Sequence, residues 1–114
     1  MIYQLFIGRF QPFHAGHKEC VRKLLETGNV CIALRDTKIS KNDPYTVKAR
    51  KKMIMKAFPG DRDKIKIITI PDITGVYYGR SVGYKIEKLN FNKAVENISA
   101  TKIRNGEIET DKID

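Results

Sequence analysis

Residues 8–17 read Gly8-Arg9-Phe10-Gln11-Pro12-Phe13-His14-Ala15-Gly16-His17 and are the most informative segment of this chain for its fold. An apolar run, Ile2 to Ile7, precedes it and an amphipathic segment follows it, so the stretch is expected to join a strand to a helix. Both histidines of the chain lie in it. A glycine-containing turn that enters a helix presents free backbone N–H groups and the positive end of the helix dipole. These features predict a phosphate-binding turn.

The rest of the chain alternates between strand-like and helix-like patterns. The continuous apolar run Val30–Leu34 is typical of a strand that is buried on both faces. Gly28 is expected to end the first helix, and Thr46 to cap the second. The predicted elements are strands over 2–8, 30–34, 65–70, 75–79 and 84–89, and helices over 15–27, 46–58 and 98–105.

This alternation predicts an α/β fold built from right-handed βαβ units. We expect a small doubly wound, Rossmann-like parallel sheet of five strands. One domain over residues 1–106 suits the length of 114 residues, with a polar tail over 107–114. Because open parallel sheets bind ligands beyond the carboxyl ends of their strands, Arg9, Arg35 and Arg80 are predicted to meet at one edge of the sheet.

A second segment, Ile98-Ser99-Ala100-Thr101-Lys102-Ile103-Arg104, reads as the start of a short helix. Its backbone N–H groups, two hydroxyls and guanidinium would suit a triphosphate, and an ordinary serine-capped helix accounts for the same pattern when it is considered alone.

Both segments resemble signatures of one superfamily. Residues 8–17 are similar to the HxGH signature of the nucleotidyltransferases, in the longer form found in nicotinamide-mononucleotide adenylyltransferases of archaeal type. Residues 98–104 resemble the second signature of that superfamily. Weaker similarities to the archaeal-type enzymes occur at Asp43-Pro44-Tyr45-Thr46-Val47-Lys48-Ala49-Arg50 and around Val76–Gly79.

The resemblance implies an Mg²⁺-dependent enzyme that transfers a nucleoside monophosphate to a phosphorylated acceptor and releases pyrophosphate. Mg²⁺ would bridge phosphate oxygens, and no protein metal ligand is assigned. It implies catalytic roles for Arg9, His14, His17 and Arg104. Nucleotide-binding roles are implied for Gly8, Phe10, Gln11, Gly16, Gly79, Arg80, Ser99 and Thr101. The residues expected at the acceptor are Arg35, Lys38, Lys41 and Arg50.

Composition limits the function classes further. The net charge of +9 suits anionic substrates and would also suit a nucleic acid, although a nucleic-acid partner is not the expectation here. No apolar run approaches the roughly 20 residues of a membrane span, so a cytoplasmic protein without a membrane partner is predicted. Cys20 and Cys31 are expected to be packed thiols. A homo-oligomer stays open, since so small a sheet can bury an edge or a face against a second copy.

Three functions therefore stand at this point. The first is AMP transfer from ATP to an acceptor such as nicotinamide mononucleotide. The second is a cytidylyltransferase that activates a phosphorylated alcohol or sugar with CTP. The third is a nucleotide- or RNA-binding module without catalysis. The chain has no tryptophan, the residue that the archaeal-type family commonly stacks on the nicotinamide ring, so the acceptor stays open.

Overall fold

The computed structural model describes residues 1–80 and 83–89 of the chain. Three strands and two helices alternate in these residues. The elements are β1 (Tyr3–Gly8), α1 (Ala15–Leu25), β2 (Asn29–Asp36), α2 (Val47–Ala57) and β3 (Ile65–Pro71). The strands form one parallel sheet in the order β1-β2-β3, so the predicted α/β class and the first five predicted elements are confirmed.

The register of the sheet brings the carboxyl ends of the first two strands together. Gly8 at the end of β1 pairs with Leu34 of β2, and Asp36 at the end of β2 pairs with Pro71 of β3. The loops that follow β1 and β2 therefore leave the sheet at the same edge, as expected for consecutive parallel strands. This edge carries the candidate site described below.

The core lies between the helices and one face of the sheet. Val30, Ile32 and Leu34 alternate along β2 and are each fully buried, in one cluster with Val21 of α1 and Ile54 of α2. Cys31 and Ala33 on the opposite face of β2 are also buried, so this strand is covered on both faces, as its sequence predicts. Both cysteines are free and buried, which confirms that they are packed thiols.

Local sequence explains where the helices begin and end. The Thr46 side chain accepts a hydrogen bond from the Ala49 N–H at 3.0 Å, which confirms the predicted cap of α2. α1 ends at Leu25, a little before the predicted stop at Gly28. The Gln4 side chain occupies the space beside that glycine and binds the Leu24 carbonyl at 2.7 Å.

The prediction of five strands is wrong for the residues that the structure describes. Residues 75–79 and 84–89, the predicted fourth and fifth strands, do not form strands. Tyr77, Tyr78 and Tyr84 are 86%, 62% and 69% exposed. Their aromatic and β-branched composition favours strands only where a neighbouring strand and a packed face are available. The helix predicted over 98–105 and the tail over 107–114 lie outside the described residues.

None of the helices in residues 1–80 and 83–89 is long and apolar enough to cross a membrane.

Candidate functional site

The turn after β1 depends on a glycine. Phe10 has a left-handed backbone with φ of 54°, and its ring is buried directly against Gly8. A Cβ atom at position 8 would lie 2.6 Å from Cε1 of that ring, closer than real contacts allow. Gly8 is therefore required because the Phe10 ring packs onto its Cα. This packing sets the direction in which the chain enters α1.

Aromatic rings surround His17 on several sides. Its ring centroid lies 4.9 Å from Phe10 in an edge contact, 5.6 Å from Phe13 and 3.9 Å from His14, the last two in stacked geometry. Phe13 also meets Phe58 at the end of α2. Such contacts restrain the rotamer of His17, because a ring that is packed against three other rings has little room for rotation. The imidazole is thus held in place before any ligand binds.

The two histidines also cap helix α1. His14 is the N-cap, and its Nδ1 accepts a hydrogen bond from the Gly16 N–H at 3.0 Å. His17 Nδ1 accepts one in return from the His14 N–H at 3.2 Å, so the pair forms a capping box. A neutral imidazole that accepts at Nδ1 carries its proton on Nε2. Each histidine therefore retains one Nε2–H donor.

Both imidazoles are neutral near pH 7. Burial lowers the pKa of His14 to about 4. The pKa of His17 is lowered to about 3, first by burial and then by the neighbouring His14. The turn therefore presents two neutral hydrogen-bond donors at the positive end of a helix dipole, an arrangement that suits phosphate oxygens.

These pKa values predict that the ring tautomers stay constant through the physiological range. Long-range ¹H–¹⁵N NMR should show both rings as the Nε2–H tautomer from pH 5.5 to 8, with no titration near 6.5. The unfolded histidines bind protons below about pH 6.5, whereas the folded rings bind them only near pH 4 for His14 and near pH 3 for His17. Stability should therefore fall as the pH drops from about 6.5 through those two values. Titration of either ring with a midpoint near 6.5 would contradict the capping assignment.

Gln11 lies beneath the turn rather than on its surface. Its side chain is 1% exposed, and its Nε2 donates to Thr37 Oγ1 at 3.0 Å and to the Tyr45 carbonyl at 2.9 Å. Its Oε1 accepts from the Tyr45 N–H at 2.9 Å. The structure thus uses Gln11 to join the turn to the loop over residues 37–46. The amide of Gln11 is not exposed to solvent, whereas the predicted contact with a nucleotide requires an exposed amide.

Two of the predicted site arginines end in ion pairs at the sheet edge. Arg9 Nη1 lies 3.1 Å from Asp43 Oδ1, and the Arg9 side chain is 44% exposed. Arg35 Nη2 lies 2.7 Å from Asp72 Oδ1 and also binds the Ile73 carbonyl. Exposed ion pairs of this kind contribute at most about 1 kcal/mol. A doubly charged phosphate can therefore compete for Arg9 at little cost.

Arg50 is placed differently from the other predicted acceptor residues. Its side chain is fully buried, and Nη1 donates to the carbonyl of Arg9 at 2.7 Å and to that of Arg35 at 2.8 Å. Nε donates to the carbonyl of Thr46 at 3.2 Å. Burial lowers the pKa of this guanidinium, while Asp36 and Asp43 act in the opposite direction. The guanidinium contacts the backbone of the site and has no open face toward solvent.

The other predicted site residues lie in several different parts of the chain. Lys38 and Lys41 are exposed in the loop that Gln11 anchors. Gly16 lies in the first turn of α1, and its N–H is already bound by His14. Gly79 and Arg80 are exposed in a segment without strand structure, so the expected arrival of Arg80 on a fourth strand is not found. Ser99, Thr101 and Arg104 lie outside the described residues.

The sequence interpretation did not single out Thr37, Asp43 and Phe13 as site residues. Asp43 and Thr37 pair with residues 34 and 26 positions away in the chain, so no local spacing could have indicated them. Their position in the loop after a strand predicted to end at the same edge was the available clue.

The donor set offers little to a metal ion. Residues 1–80 and 83–89 contain no group of three or more His, Cys, Asp or Glu side chains that could hold one. The two imidazoles have used their Nδ1 atoms as acceptors. These residues are suited to binding phosphate oxygens directly.

Comparison with known proteins finds similarity over the part of the chain that contains these strands and helices. The family model for cytidylyltransferase-like proteins matches residues 5–77. A nicotinamide/nicotinic acid mononucleotide adenylyltransferase of Acinetobacter baylyi is 36% identical over 75 residues, 62% of this chain and 40% of the relative. A nicotinamide-nucleotide adenylyltransferase of Methanosphaerula palustris is 34% identical over 71 residues, 60% of this chain and 42% of the relative.

A solved structure is similar over the same region. The bifunctional NMN adenylyltransferase/ADP ribose pyrophosphatase of Francisella tularensis superposes with a TM-score of 0.55 at 32% identity, covering 61% of this chain and 22% of that one. The chain thus spans about 40% of the length of the curated relatives it matches.

Proposed function

This chain belongs to the cytidylyltransferase-like family, and we propose that it transfers AMP from ATP to nicotinamide mononucleotide with release of pyrophosphate. The proposal is supported by the turn between β1 and α1 (the histidine turn), in which His14 and His17 cap the helix. His14 and His17 lie at the N-terminus of α1, and the exposed Arg9 directly follows the carboxyl end of β1. The names of the relatives support the choice of the adenylyl group and of the acceptor.

The proposed reaction is a single in-line displacement. A phosphate oxygen of the acceptor attacks the α-phosphorus of ATP and forms a new P–O bond. The bond between the α-phosphorus and the α–β bridging oxygen breaks, and pyrophosphate leaves. Such a reaction requires positioning and charge stabilisation rather than a protein nucleophile.

We assign the residues of the turn to the phosphates. His17 Nε2–H would donate to an α-phosphate oxygen, and His14 Nε2–H would donate to the neighbouring phosphate. Arg9 would leave Asp43 and bind the departing pyrophosphate. A preorganised donor in such a position stabilises charge that develops in the transition state. By resemblance, Ser99, Thr101 and Arg104 would bind the β- and γ-phosphates.

Mg²⁺ would enter this site on the triphosphate. A hard cation of this kind commonly keeps several waters and binds substrate phosphates with few protein ligands. It would supply charge neutralisation on the phosphate oxygens. The acceptor phosphate would bind near Lys38 and Lys41, in the loop anchored by Gln11.

The test is an assay with ATP, nicotinamide mononucleotide and Mg²⁺. Equal amounts of pyrophosphate and NAD should appear, the latter measured by reduction with alcohol dehydrogenase. Parallel reactions replace ATP with CTP, or the acceptor with phosphorylated alcohols and sugars. Release of pyrophosphate with CTP and not with ATP would show that the chain acts as a cytidylyltransferase instead. Triphosphate binding without release in any reaction would instead favour a binding role.

A further inference from the structure

Helix α2 carries several exposed lysines that form a basic surface. Arg50 belongs to the same helix but is buried, so it is not part of that surface. Lys48, Lys52 and Lys56 of the same helix are exposed, whereas Arg50 is 0% exposed. Placing a guanidinium in the interior is costly unless its N–H groups are bound. Here they bind three backbone carbonyls, those of Arg9, Arg35 and Thr46. The carbonyls belong to three different segments of the chain.

Those three segments are the ones that build the site. Arg9 follows the last residue of β1 and precedes Phe10, where the backbone turns left-handed. Arg35 lies at the end of β2 and precedes the loop with Lys38 and Lys41. A single Nη1 atom donates to both carbonyls, at 2.7 and 2.8 Å. One side-chain atom therefore joins the two chains just beyond Gly8 and Leu34, the last pair of the β1–β2 ladder, where the loops leave the sheet.

From this geometry we infer that Arg50 is a positioning residue. By binding the carbonyls of Arg9 and Arg35, it holds the histidine turn at a fixed spacing from the loop over residues 37–46, which carries Lys38 and Lys41 (the acceptor loop). The inference rests on the proposed function. It replaces the expected contact between Arg50 and the acceptor, because the side chain is fully buried and its Nη1 and Nε atoms donate to backbone carbonyls. Gln11 also joins the turn to the loop after β2, through its hydrogen bonds to Thr37 and Tyr45.

Replacement of this residue should lower turnover more than it lowers stability. In Arg50→Ala the two strand ends lose their common donor, and kcat per folded molecule should fall roughly tenfold, since small misplacements of reacting groups are expensive. Arg50→Lys should recover only part of that loss, because an ammonium lacks the planar fork of a guanidinium. Methylguanidinium added to Arg50→Ala should raise kcat. Lys52→Ala, an exposed change on the same helix, should leave kcat unchanged.

The experiment separates positioning from stability. The folded fraction is measured by circular dichroism at the assay temperature, and kcat is referred to that fraction. If Arg50→Ala does not fold, Arg50→Lys decides by the same criterion. A kcat within twofold of the unmodified chain, once corrected for folding, would overturn the inference. Rescue of the melting temperature by methylguanidinium without rescue of kcat would overturn it as well.

A second measurement keeps this test independent of the proposed reaction. If the unmodified chain transfers no AMP, the proposed function fails, and the positioning role is then tested by binding of a fluorescent ATP analogue. Arg50→Ala should weaken that binding at least about fivefold, because the donors of the turn are no longer preorganised. Equal affinity in the unmodified chain, Arg50→Ala and Lys52→Ala would show that Arg50 does not position the turn.

Discussion

His17→Ala should lower kcat for the proposed AMP transfer by at least ~10²-fold, the usual cost of deleting one preorganised donor to developing charge. The substitution removes the Nε2–H group that we place at the α-phosphate. It also removes the Nδ1 acceptor that caps the His14 N–H. Pyrophosphate release under saturating ATP and acceptor measures the first effect, and thermal unfolding measures the second. Full activity in this variant would exclude the proposed mechanism.

Two conservative replacements separate these roles of His17. The side-chain amide of Gln reaches the position of Nε2, whereas that of Asn reaches only the position of Nδ1. His17→Gln should therefore retain more activity than His17→Asn, while Asn can still accept the hydrogen bond from His14 and preserve the cap. Equal activity of the two variants would show that the Nε2–H donor is not the catalytic feature of this residue.

Gly8→Ala should damage both the fold and the site. The new Cβ would lie 2.6 and 2.7 Å from two ring carbons of Phe10, and that ring is enclosed by Phe6, Phe13 and His17. Overpacking of a close-packed core costs about 1–3 kcal/mol. Any movement that relieves the clash also shifts the ring that holds His17. We therefore expect a lower melting temperature together with a lower kcat in the molecules that remain folded.

Gly60→Ala provides the matched control for this substitution. No atom lies within 4 Å of a Cβ built at Gly60, which is exposed in the turn after α2. Its melting temperature and kcat should stay close to those of the unmodified chain. If Gly8→Ala behaved like Gly60→Ala in both measurements, the packing of Phe10 onto Gly8 would not be what orients the histidine turn.

Much of the architecture could be predicted from local patterns. The apolar run at 30–34 indicates a strand with two covered faces, and Cys31 and Ala33 are indeed buried opposite Ile32 and Leu34. Thr46 indicates the start of α2 because a hydroxyl that accepts from a backbone N–H is a local interaction. The same is true of the histidine turn, whose capping bonds join residues two or three positions apart.

Local patterns could not show whether the predicted fourth and fifth strands form. Residues 75–79 and 84–89 have the composition of strands, but strand formation depends on a partner strand and a packed face, and neither is a property of the segment. The expectation that Arg80 would reach the sheet edge depended on that strand. That expectation is therefore wrong for the same reason.

The order of β1, α1, β2, α2 and β3 and the turn with His14 and His17 follow from local patterns, because hydrophobic period, caps and a glycine turn act over a few residues. The buried contacts of Gln11 and Arg50 and the pairing of Asp43 with Arg9 depend on the folded arrangement of the chain. The contacts of Gln11 with Thr37, of Asp43 with Arg9, and of Arg50 with Arg9 and Arg35 span 15 to 41 residues. They exist because parallel strands bring their carboxyl ends, and the loops that follow them, to one edge of the sheet.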